Sequence, residues 1–211
     1  MTSFSCGADR WLRRTLAAAA LAVPLAALSA GAASAAVAAA PAYTVTATIP
    51  VPGNLPTGLA ANPLNGRIYV ADDGASMVSV INPATNAIAV SITVGTDPIG
   101  IAVNRHTDRL YVTNSGSNTV TVINGRSNMP IATIPVGDNP QAVAVNETTD
   151  TVYVTDGDDN RLLVINGKTN QVTASIPVGF QPLGVAVNPS SGTIYAGNFG
   201  DGTVSVITTT K

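Results

Sequence analysis

An all-β array of repeats is the fold class this sequence predicts, and three observations predict it. The first is a spacing of 42 residues between Tyr69, Tyr111, Tyr153 and Tyr195, which open Tyr69-Val70-Ala71-Asp72, Tyr111-Val112-Thr113-Asn114, Tyr153-Val154-Thr155-Asp156 and Tyr195-Ala196-Gly197-Asn198. The second is that other positions keep the same step: Gly53, Gly95, Gly137 and Gly179; Pro56, Pro98, Pro140 and Pro182; Asn62, Asn104, Asn146 and Asn188; Ile81, Ile123, Ile165 and Ile207. The third is composition, with 10% charged and 4% aromatic residues against an abundance of Val, Ile, Thr, Ala, Gly and Asn, which favours strands and turns over helices. A fixed internal period outweighs length as a guide to domain count, so the chain reads as one repeat domain.

Residues 1–35 read as an export signal peptide. Arg10, Arg13 and Arg14 supply a basic start, residues 16–28 an apolar run, and Ala33-Ser34-Ala35 a cleavage motif before Ala36. Arg13-Arg14-Thr15-Leu16 permits twin-arginine as well as general export. Pro24 and the alanine content disfavour retention of the segment as an anchor, so no membrane span is expected after cleavage. Residues 1–35 hold Asp9 and three arginines, so their removal takes 12 acidic and 10 basic residues to 11 and 7, a formal charge of −4. That balance offers no basic stripe for nucleic acid. Cys6 leaves with the signal, and the mature chain has no disulfide, thiol nucleophile or thiolate metal site. The expected location is outside the cytoplasm: secreted, at the cell surface or periplasmic.

Residues 36–42 form a short leader. Residues 43–49, Tyr-Thr-Val-Thr-Ala-Thr-Ile, then read as a β-branched strand of the type that ends each repeat. The second copy shows the pattern best: strands over residues 100–104, 110–113, 120–123 and 131–136, separated by turns rich in Gly, Pro, Asn and Asp. Four short strands per 42 residues match the blade of a β-propeller. At these motifs, over residues 43–211, the chain resembles the YVTN-repeat family of β-propellers. The resemblance implies a propeller and little about activity, since propellers of this kind serve as surface proteins, binding scaffolds and occasionally enzymes.

The strand count predicts four four-stranded antiparallel blades: a lone last strand (43–49), three complete blades, and three strands of a fourth. The N-terminal strand would complete that fourth blade and bring Tyr43 near Lys211. The family usually has more blades, and two arrangements fit the shorter count. Closure within one chain is the expected one, and pairing with a second copy into a larger ring, a homodimer, is the alternative.

In an up-and-down blade, alternate turns share a face. Asp72, Asp73, Asp97, Asp138, Asp156, Asp158, Asp159 and Asp201 then fall on one face with Arg161, whereas Arg67, Arg105, Arg109, Arg126 and Lys168 fall on the other with Asp108, Glu147 and Asp150. An acidic face suits a divalent or organic cation. Asp156, Asp158 and Asn160 place oxygens at positions 1, 3 and 5 of a turn, as a calcium loop does, making calcium or magnesium the candidate cofactor. Arg161 and Gly167 stand where that loop needs glycine and glutamate, and turn-forming Asp and Asn explain the segment without a metal. The turns before the four prolines differ between copies, so Asp97, Asn139, Phe180 and Gln181 are the candidate ligand-binding residues.

Three functions compete. The favoured one is an exported, non-enzymatic scaffold that binds a protein or small molecule. The second is a metal-assisted lactone hydrolase or lyase on the acidic face. The third is a shortened paralogue without an independent role. A single histidine, His106, on the opposite face disfavours triad chemistry, and no G-x-S-x-G, H-E-x-x-H or P-loop motif is present.

Overall fold

A computed structural model describes residues 43–209. The signal and leader segments, and Lys211 with its expected approach to Tyr43, lie outside them. The described chain forms four antiparallel sheets in sequence order. Sheet 1 holds β1 (Pro56–Ala61), β2 (Ile68–Asp72), β3 (Met77–Asn82) and β4 (Ala87–Thr93); sheet 2 holds β5 (Pro98–Asn104), β6 (Arg109–Asn114), β7 (Thr119–Asn124) and β8 (Met129–Pro135). Sheet 3 holds β9 (Pro140–Asn146), β10 (Thr151–Asp156), β11 (Arg161–Asn166) and β12 (Gln171–Pro177); sheet 4 holds β13 (Pro182–Val187), β14 (Ile194–Asn198) and β15 (Thr203–Ile207). A single 3-10 turn, Asp73–Ala75, is the only helical element among the described residues. The fold is β-propeller-like.

The 42-residue step is a backbone requirement at the turns. Gly66, Asp108, Asp150 and Gly192 occupy one repeat position and all have positive φ, as do Asn86, Asn128 and Asn170 at another. Only glycine, asparagine and aspartate enter that region readily, so the copies agree there. Each tyrosine pairs across the sheet with an alanine of the first strand: Tyr69 with Ala60, Tyr111 with Ala102, Tyr153 with Ala144. The small partner leaves room for a large ring, and these three tyrosines are buried.

The sheets stack through these faces. Tyr69, Val78 and Val80 pack against Leu110, Val112 and Ile123 of sheet 2. Tyr111, Val120 and Val122 pack against Val152, Val154 and Ile165 of sheet 3, and Tyr153 and Leu162 meet Ile194 of sheet 4. The first strands follow in series, β1 on β5, β5 on β9 and β9 on β13. A bulge near the start of β5 turns Gly100 toward β9, where an added Cβ would sit 2.6 Å from the Gln141 carbonyl oxygen. Thr113 of the tyrosine motif patches that bulge: its Oγ1 accepts from Gly100 N (2.8 Å) and donates to Gln141 O (2.6 Å), joining sheets 2 and 3. In sheet 1 the motif has Ala71, and Thr57 takes over the link by donating to Pro98 O (2.8 Å).

Two expectations need correction. Residues 43–49 form no strand, Val45 is 88% exposed, and sheet 4 has three strands among the described residues. The physical reason is position: a strand needs a partner edge, and the free edge of β15 stands at the far end of a series in which β1 and β13 share no comparable packing. For the same reason the ring expected within one chain is open among the described residues. The regular strands also begin a residue or two earlier than the sequence pattern suggests, because Pro98 and Pro140 start their strands, where the missing N–H breaks no ladder.

Thr113→Val keeps the shape but strands Gly100 N and Gln141 O. Urea unfolding should show a loss of about 2 kcal/mol, and the melting temperature should fall by about 4–8 °C; an unchanged midpoint would refute the bridging role.

Candidate functional site

The sorting of turns onto two faces is visible in the backbone. On the acidic side, the turn entering each sheet is bonded to the turn between its second and third strands: Ser115 N to Asp97 O (2.9 Å), Gly157 N to Asn139 O (3.1 Å), Phe199 N to Gln181 O (2.9 Å) and Asp73 N to Leu55 O (3.0 Å). Neighbouring sheets are then clasped, with Asn139 N donating to Asn118 Oδ1 (3.0 Å) and Gln181 N to Asn160 Oδ1 (2.8 Å). On the opposite face Asn62 and Asn104 donate to Asp108 and Asp150 of the next sheet, both at 2.7 Å. His106 lies there too, its Nδ1 3.1 Å from Glu147 O, beside the Arg105–Glu147 ion pair at 2.5 Å.

Asp97, Asn139 and Gln181 occupy one repeat position, and all three have positive φ (52°, 59° and 50°). The frame therefore makes a demand that the variation between copies conceals: this turn requires a residue that tolerates the left-handed region. Within that limit, chemistry varies. Asn139 donates through Nδ2 to Asp158 Oδ1 (3.2 Å), and its own Oδ1 accepts from Gln141 Nε2 (2.5 Å), giving a polar group of three side chains. Sequence reasoning misses Gln141, although copies disagree there (Thr57, Ile99, Leu183), which is the signal it uses elsewhere. Asp97 lies instead beside Asp73, whose carboxyl is raised above its ordinary value by burial first and then by the charge of Asp97. Phe180 is 52% exposed and packs over Gly200, with Phe199 also exposed nearby in sequence to that turn. Asp97, Asn139, Phe180 and Gln181 thus share a face, each serving its own turn.

In the candidate metal turn each side chain has a hydrogen-bond partner of its own. Asp156 is buried, its Oδ1 accepting from Asp159 N (3.3 Å) and its Oδ2 directed at Gly137. Asp158 Oδ1 takes the Asn139 amide, and Asn160 Oδ1 takes Gln181 N. One oxygen of each side chain is thus taken by a different partner, and Asp156 Oδ2 is buried without one. Among the described residues no three carboxylate, histidine or cysteine groups converge as metal ligands.

Asp72, Asn114, Asp156 and Asn198, the residues ending the second strands, are buried framework. Asp72 accepts from Gly53 N (2.8 Å); Asn114 donates to Thr119 Oγ1 (3.0 Å) and Thr121 Oγ1 (2.9 Å); Asn198 donates to Thr203 Oγ1 (3.0 Å) and Ser205 Oγ (2.9 Å). Their side chains fill the space where Gly53, Gly95, Gly137 and Gly179 would carry a Cβ, which is why glycine recurs there. At the repeat position of Thr121, whose hydroxyl Asn114 meets, sheet 3 has Leu163, and burial pushes the Asp156 carboxyl up to about 6, aided by the charges of Asp159, Asp138 and Asp158 and opposed by the Asp159 N–H.

A carboxyl titrating near 6 in the folded chain and near 3.9 unfolded holds its proton better when folded. Its contribution is favourable below about pH 4 and is lost as pH rises through 6. Asp156→Asn should therefore match the parent near pH 4 and exceed it above pH 7 by on the order of 1–2 kcal/mol in urea unfolding. Parallel stability profiles for the two proteins across that range would refute the assignment.

No family model and no curated protein matches this chain. Solved structures do: 1185 chains match, so the architecture is a common one. Kuenenia stuttgartiensis hydrazine synthase superposes with a TM-score of 0.67 at 22% identity, over 78% of this chain and 48% of that one. This chain spans about half the length of that protein. At such identity the likeness shows fold alone, and that fold is the propeller-like stack of antiparallel sheets.

Proposed function

We propose that the chain is an exported, non-enzymatic YVTN-type scaffold that binds a cationic partner across its acidic turn face. The carrying observation is the division of labour at those turns. Repeated residues, among them Asp72, Asn114, Asp156 and Asn198, are buried and bonded to the frame, while the residues that vary between copies stand at the surface of one face. The Asp73–Asp97 pair supports the choice of charge, since Asp73, whose proton affinity is raised by burial and then by the charge of Asp97, stands with a second carboxyl where a cation would be favoured. The exposed rings of Phe180 and Phe199 supply apolar contact at the equivalent turns of sheet 4. The YVTN affiliation rests on the tyrosine motif, in which every position has a structural role. Tyr111 fills one sheet interface and Val112 the opposite one, while Thr113 makes the bulge link and Asn114 holds the turn. The export reading rests on residues 1–35, and N-terminal sequencing tests it: the released protein should begin at Ala36.

A lysine-rich peptide containing phenylalanine serves as probe. Binding followed by calorimetry should weaken with added salt, and Asp73→Asn with Asp97→Asn should reduce affinity about tenfold, equivalent to about 1.4 kcal/mol. Equal affinity for a glutamate-rich peptide would overturn the proposal.

A further inference from the structure

Sheet 4 is built for a neighbour it lacks. Tyr69, Tyr111 and Tyr153 are at most 6% exposed, yet Tyr195 at the same repeat position is 41% exposed. Val78 and Val80 in sheet 1 and Val120 and Val122 in sheet 2 are fully covered, whereas their equivalents Val204 and Val206 are each 61% exposed. Glycine repeats the message. Gly58 and Gly100 are required because the carbonyls of Ile99 and Gln141 in the next sheet press on them, but a Cβ on Gly184 would meet nothing within 4 Å. Sheet 4 keeps the glycine of sheets 1 and 2, and among the described residues no backbone presses on it.

The complementary surface is at the other end of the chain. Ile68 and Ile81 of sheet 1 correspond to Leu110 and Ile123, which cover the preceding sheet and are fully buried; Ile68 and Ile81 are only half-buried, and Leu59, equivalent to the packed Ile101, is 63% exposed. The face of sheet 1 is thus the repeat's own partner for the face of sheet 4. The third feature is an edge. Among the described residues β15 has no fourth strand beside it, and Ile176 of β12 is half-buried where Ile92 and Ile134 are 3% exposed. Residues 45–49 carry the apolar-polar pattern of β12 and are unpaired. Transferring the register of Leu162–Ile176, Leu163–Ser175 and Val164–Ala174 sets Ile49, Thr48 and Ala47 opposite Val204, Ser205 and Val206.

From these features we infer that two copies of this chain associate head to tail into a closed ring of eight blades, sheet 1 of each covering sheet 4 of the other. Residues 45–49 of each copy become the fourth strand of its partner's last blade. A heterologous contact of this kind closes a ring when its rotation is right, eight blades is within the range of propellers, and strand addition to an open edge is a common mode of association. The inference is independent of what the acidic face binds.

Light scattering on the purified chain should give twice the chain mass. Val206→Asp should halve that mass without loss of the sheet signal in circular dichroism. Gly184→Val should do the same, because a side chain fits the single chain there but blocks the approaching backbone. In a Thr48→Cys/Ser205→Cys protein, a short thiol cross-linker should yield mainly covalent dimer. Cross-linking at single-chain mass, a monomer at every concentration, or assemblies that grow beyond two copies would each overturn the two-copy ring.

Discussion

The closeness with which the first strand of one sheet approaches the first strand of the next governs the rest of this molecule. Gly58 and Gly100 bring backbone to backbone at a distance no side chain survives, and the threonine bridges from Thr57 and Thr113 tie the approaching carbonyls in place. With that spacing set, a large residue is needed farther out on each sheet, and the tyrosines and valines of the second and third strands supply it. The alanines opposite the tyrosines follow from the same geometry, as small residues that let one sheet's bulk seat against its neighbour. Without cysteine in residues 43–209, packing and these bridges carry stability by themselves.

The polar chemistry is divided along the same lines. Groups inside the stack are spent on structure: Asn114 and Asn198 bind threonine and serine hydroxyls, Asp72 binds a turn amide, and Asn62 and Asn104 bind the aspartates of the next sheet. Asp156 is the costly member, a buried acid where two other copies have an amide, in a sheet that has Leu163 at the repeat position of the Thr121 hydroxyl. Its raised proton affinity follows first from burial and then from the neighbouring charges of Asp159, Asp138 and Asp158. Outside the stack, the turns carry Asp97, Asn139, Gln141 and Asp158, at positions where the copies differ.

Much of this was legible in the sequence. Tyr69, Tyr111, Tyr153 and Tyr195, with the glycine and proline steps, state the strand order, the sheet count and the allocation of turns to faces, because local turn geometry and strand alternation are written residue by residue. The site was legible only as a face. Hydrogen-bond direction decided that Asp158 turns to Asn139 while Asn160 turns to Gln181, so a spacing that suits a calcium loop yields three separate bonds.

By itself, then, the sequence determined the repeat, its four sheets and the buried role of what repeats. Closure was decided by tertiary structure alone. Whether residues 45–49 meet β15 depends on the angle accumulated from sheet to sheet, a sum over packed side chains that no single repeat contains. The same holds for Tyr195, identical in repeat position to three buried tyrosines and exposed because nothing among the described residues covers it.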